Sequence, residues 1–110
     1  MDAPLTDLGY LERFCKSDRS RMEKYIQMYL SGAPDLFEKM NSALAAQDGE
    51  SLAVAAHSAR PQVNYMGAQK LFDLLTILEQ QSRTEGASTC HALVKEAMDL
   101  NEKVMAELRG

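Results

Sequence analysis

The chain contains no tryptophan, and aromatic residues make up only 6% of it. The apolar 45% is carried mainly by Leu, Ala and Met, all good helix formers. No segment alternates apolar and polar residues in the period of a half-buried strand, so a sheet is excluded as the main framework. Excess positive charge is also lacking. The net charge is −4, with a pI near 5.1, so phosphate backbones and anionic membranes are repelled rather than attracted. No apolar run approaches the roughly 20 residues of a membrane span. The opening MDAPLTDLGYLERF has neither the basic nor the apolar part of a signal peptide. A cytoplasmic location is expected, and neither nucleic acid nor membrane is expected as a partner.

Other absences narrow the chemistry. Only two cysteines occur, Cys15 and Cys90, far apart and outside any C-x-x-C spacing. They read as separate thiols of a reducing compartment. Cys90 and His91 are adjacent and would point in different directions on a helix, so with His57 they make no metal-ligand set. No Gly-rich phosphate loop and no nucleophile–base–acid set is present. The chain is therefore not expected to be an enzyme, nor to carry a metal or cofactor of its own.

What is present is helical periodicity. At 110 residues the length suits one domain with one core, spanning residues 1–110. A short lead helix is expected over Leu5–Phe14, capped by Thr6 or Asp7. The next starts near Ser17-Asp18. Its apolar positions Met22, Ile26, Leu30, Ala33, Phe37, Met40 and Leu44 keep phase through Pro34, which predicts one long helix kinked near Ser31–Pro34. Asp48-Gly49 closes the connection. A third helix from Glu50 carries the seam Leu52, Ala56, Ala59, Val63 and Met66. A fourth, over Ala68–Arg83, buries Leu71, Leu74, Leu75 and Leu78, with Phe72 and Ile77 widening the face. Gly86 ends it, Ser88 caps a last helix, and the seam there is Leu93, Ala97, Leu100, Val104 and Leu108. Short connections between amphipathic helices predict an all-α, antiparallel up-down-up-down four-helix bundle with a short extra N-terminal helix.

His57 stands off that seam. At ~100° per residue it lies about 140° from Leu52, with Arg60 about 80°, Asn64 about 120° and Pro61 about 180° from the same residue. His57, Arg60, Pro61 and Asn64 therefore share a solvent-facing surface. Ala53, four residues before the histidine, is small, and Pro61, four after it, is compact. The imidazole stands clear of its own helix with a guanidinium beside it. Pro61 also lacks the N–H that the His57 carbonyl would accept.

His57-x-x-Arg60, with Gly67 ten residues after the histidine, resembles the signature of histidine-containing phosphotransfer (HPt) domains. The succession of a lead helix, a Pro-bearing long helix, a His helix and two more helices is similar to that family along the whole chain. Two positions depart from its pattern: Arg60 stands where Lys is usual, and Pro61 where Gly is usual. The resemblance implies that a polar side chain from the following helix faces the histidine. That position is Glu79, with Gln80 as the fallback. On its wheel Glu79 flanks the Leu71/Leu75/Leu78 seam, although the residue alone reads equally as an ordinary exposed glutamate.

The resemblance further implies that His57 is a phosphoacceptor in a two-component phosphorelay, taking the phosphoryl group from a receiver-domain aspartate and passing it to another receiver. Arg60 would stabilise the phosphoryl group and Glu79 would orient the ring. Ala53, Pro61, Asn64 and Gly67 would form the docking face. Partners would be response-regulator receivers and a hybrid sensor histidine kinase. Mg²⁺ would come with the receiver, leaving this chain without a metal site. The alternative is a helical docking module that binds a receiver or kinase without being phosphorylated. The opening Met and the short tail favour a stand-alone protein.

Overall fold

In a computed structural model that describes residues 4–110, the chain is an all-α bundle, with no strand among the described residues. The helices are α1 (Gly9–Phe14), α2 (Arg19–Ala45), α3 (Gly49–Tyr65), α4 (Gln69–Thr84) and α5 (His91–Arg109), with a 3₁₀ turn at Ala87–Thr89. Among the described residues no helix is long and apolar enough to cross a membrane.

Side-chain caps set the starts of α2 and α3. Asp18 caps α2 by accepting from the Ser20 and Arg21 amides, and Asp48 caps α3 by accepting from Ser51. Both ends fall where the sequence placed them. The lead helix does not: α1 starts at Gly9, not Leu5. The Glu107 carboxylate of α5 takes the Leu5 and Thr6 amides and the Thr6 hydroxyl, and Asp7 takes the Gly9 amide. These bonds hold residues 5–7 in a non-helical strap. Ser88 does not cap α5 either. Gly86, in a left-handed conformation at φ 89°, turns the chain into the 3₁₀ element that contains Ser88. The last helix then follows Cys90 without a side-chain cap.

The long helix runs through Pro34 as one element and buries Ala33, Phe37, Met40 and Leu44. On α3 the whole predicted seam is buried. On α4 the four leucines are buried, but Ile77 is half exposed. The inner line of α5 keeps Ala97 and Val104 of the predicted seam but differs at its other positions. Val94, Ala97, Asn101, Val104 and Met105 face in, while Leu93, Leu100 and Leu108 are only partly covered. A polar residue lies inside because the Tyr29 hydroxyl of α2 donates to Asn101 Oδ1 at 2.6 Å. Burial pushes the Tyr29 hydroxyl pKa up, so it stays a donor.

Contacts join residue 50 to 83, 57 to 79 and 60 to 72. As one number rises the other falls, so α4 runs antiparallel to α3. That packing places the middle of α4 beside His57.

Candidate functional site

The third helix is inner to the bundle on a broad face. Leu52, Ala53, Ala56, Ala59 and Val63 are all buried. Opposite them His57 projects, with 63% of its side chain exposed. Pro61 and Asn64 are exposed beside it, and Arg60 is partly covered. Ala53 is not on this surface. It is fully buried, and α3 packs against both α2 and α4, so more than a single stripe of the helix is covered. Gly67 is partly exposed and has a backbone role of its own. It ends α3 at φ 63°, and a Cβ there would overlap the backbone of Asp7.

Glu79 of α4 meets the histidine. Its Oε1 lies 3.1 Å from His57 Nδ1; Glu79, not Gln80, makes this bond. The same Oε1 accepts from Arg60 Nη1 at 3.1 Å. Its other oxygen, Oε2, accepts from Arg83 Nη1 at 2.7 Å. Only 12% of the Glu79 side chain is exposed. Burial, the largest single influence, raises its pKa. The hydrogen bonds from His57 and Arg60, with the charges of His57 and Arg83, outweigh burial and hold the carboxyl below its usual range.

An ionised carboxylate only accepts, so its partner nitrogen carries the proton. Nδ1–H then faces Glu79, which in the neutral ring leaves the lone pair on Nε2, at the other edge of an exposed ring.

Arg60 is held on two sides. Its guanidinium carbon stands 4.8 Å from the centre of the Phe72 ring, and Nη1 is on Glu79. Its Nε is buried without a partner. Arg83 carries no weight in the sequence reading, yet it makes the shortest bond to Glu79. The one local signal for it is the four-residue step from Glu79 to Arg83, which puts an acid and a base on the same side of a helix. Its Nε also stands 3.6 Å from Glu50 Oε2, at the start of α3.

Cys15 and Cys90 are both free thiols and both buried. Among the described residues no group of three or more His, Cys, Asp or Glu side chains is placed to hold a metal ion.

Residues 24–109 match the Hpt domain family. The chain belongs to the Hpt domain family. The match begins within α2 and takes in α3, α4 and α5, so it includes His57, Arg60 and Glu79, while α1 lies outside it. No curated protein and no solved structure matches the chain. Hpt domains are carriers in phosphorelays that interact with receiver domains, and an exposed imidazole paired with a buried carboxylate is the feature of this Hpt domain with chemistry to offer.

Proposed function

We propose that this Hpt domain is a phosphorelay intermediate in which His57 accepts a phosphoryl group from the aspartyl phosphate of one receiver domain and passes it to the aspartate of another. The carrying observation is the His57 Nδ1–Glu79 Oε1 pair on a ring whose other edge is open.

In this reading the Nε2 lone pair attacks phosphorus. The bond from phosphorus to the aspartate oxygen breaks, and the aspartate leaves as a carboxylate. As the N–P bond forms, positive charge develops on the imidazole. Glu79, bonded to Nδ1–H, lies where that charge appears and is already ionised. The reverse transfer returns the electron pair to Nε2. Arg60 supplies a guanidinium for the phosphoryl oxygens. The Mg²⁺ that such transfers use belongs, in this reading, to the receiver. Pro61 and Asn64 form the exposed part of the docking face, and the domain accelerates nothing without its partner.

The test is incubation with a phosphorylated receiver domain. The chain is expected to acquire acid-labile, base-stable label, and His57→Gln is expected to abolish it with the fold unchanged, since the side chain is exposed. Label that persists after this substitution overturns the proposal. A chain that binds the receiver and stays unlabelled is a docking module instead.

A further inference from the structure

The Glu79 carboxylate has two oxygens and three cationic or N–H partners. Oε1 is shared by His57 Nδ1 and Arg60 Nη1, each at 3.1 Å, while Oε2 is held by Arg83 Nη1 at 2.7 Å. Oε1 therefore serves both Arg60 and His57 with its two lone pairs, and its position depends on how the carboxylate is turned. An arginine prefers to meet a carboxylate with two parallel bonds, one to each oxygen. Arg60 reaches only Oε1 here, and Oε2 is held from the other side by Arg83. Arg83 also lies one helical turn beyond Glu79 on α4, so its grip is set by the helix itself and does not depend on the His57 surface.

We propose that Arg83 is a positioning residue for His57: by occupying Glu79 Oε2 it keeps Oε1 turned to the ring and so fixes the Nδ1–H tautomer that leaves Nε2 nucleophilic. Without it Oε2 loses its anchor on α4, and the carboxylate is free to rotate Oε1 away from the ring. The imidazole then loses its acceptor at Nδ1. A histidine with no partner there favours the Nε2–H tautomer, in which the outward nitrogen has no lone pair to give. The contact of Arg83 with Glu50, at 3.6 Å and between exposed side chains, is the weaker of its two and ties α4 to α3 without touching the carboxylate.

The consequence for reactivity rests on the phosphotransfer reading, whereas the tautomer does not. The test therefore uses both. In the full chain, ¹⁵N shifts of the His57 ring are recorded for the wild type, Arg83→Met, Arg83→Lys and Glu50→Gln. Phosphorylation by phosphoramidate, a small donor that needs no partner protein, is followed in parallel. In that reaction Nε2 displaces ammonia from phosphorus. Met keeps the packing of the side-chain stem and removes the donor. Lys restores a cation at the favourable i,i+4 spacing.

Arg83→Met is expected to raise the Nε2–H population and slow phosphorylation about three- to tenfold, the span of one hydrogen bond in partly exposed surroundings. Arg83→Lys is expected to recover most of both, and Glu50→Gln to leave both as in the wild type. An unchanged tautomer in a folded Arg83→Met protein overturns the inference. So does an equal change in Glu50→Gln, which would make Arg83 a tie between helices and nothing more. A tautomer shift in a chain that no donor phosphorylates upholds the inference and defeats the phosphotransfer reading. The reverse pattern does the opposite.

Discussion

Gly67 lies directly against the backbone of Asp7, with no space for a Cβ between them. The glycine ten residues after the histidine thus makes room for the strap that leads into α1. It also holds φ at 63°, where L side chains are strained.

Gly67→Ala is accordingly expected to destabilise the domain. The strained backbone alone costs about 1–3 kcal/mol, and displacement of Asp7 adds to it. Urea unfolding should show a lower midpoint with an unchanged slope, while the His57 ring keeps its tautomer. A midpoint equal to the wild type would mean that residues 5–8 are not held against the α3–α4 turn.

Arg60 is expected to matter for both transfer and packing. Arg60→Ala removes the guanidinium from the Phe72 ring, worth about 0.5–1 kcal/mol at a partly exposed site, and should slow phosphorylation of His57 in rapid-quench measurements. Lys at the same position keeps the charge without the planar fork, so intermediate kinetics are expected. Unchanged kinetics in Arg60→Ala would remove this residue from the site.

The Glu79 carboxyl sets a pH dependence whose sign is fixed. Its pKa is lower folded than unfolded. Its contribution to stability is therefore complete above the ordinary carboxylate range and is lost as pH falls through the depressed folded value. Glu79→Gln and Glu79→Ala should both flatten this part of an acid stability profile. For His57 reactivity the two should differ, because Gln still offers an oxygen to Nδ1–H and Ala offers none. A modest loss with Gln and a larger one with Ala are expected in phosphorylation assays. Equal rates in both variants and the wild type would deny Glu79 its orienting role.

The buried Tyr29–Asn101 pair predicts an asymmetry. Tyr29→Phe strips the amide of its partner and should cost about 1–3 kcal/mol, read by denaturant unfolding. Tyr29→Phe with Asn101→Leu should be less harmful than Tyr29→Phe alone, since no polar group is then left unpaired inside. A double variant weaker than the single one would point to packing rather than hydrogen bonding at this place.

Much of this was legible beforehand, and the exceptions share a cause. The centre of the α3 seam was readable because Leu52, Ala56, Ala59, Val63 and Met66 keep a regular period, although the buried face extends beyond it to Ala53. On α5 two adjacent apolar stripes competed. The inner one was selected by a tyrosine on α2 that wants an amide, which no local pattern reports. Ala53 was misplaced because burial at the flank of a helix depends on a second neighbour. Glu79 and Gln80 were rivals for the same reason: the choice between adjacent residues is a matter of register between α3 and α4.

The amino-acid order alone determined the all-α class, most helix boundaries and the outward face of His57, since turns, caps and a 3.6-residue period act over a few residues at a time. Tertiary packing alone decided which groups reach the imidazole. Glu79 comes from 22 residues away, with one guanidinium from each helix on its two oxygens. Distances across two packed helices are set by how their side chains interlock, and that information belongs to the pair of surfaces rather than to either stretch of chain.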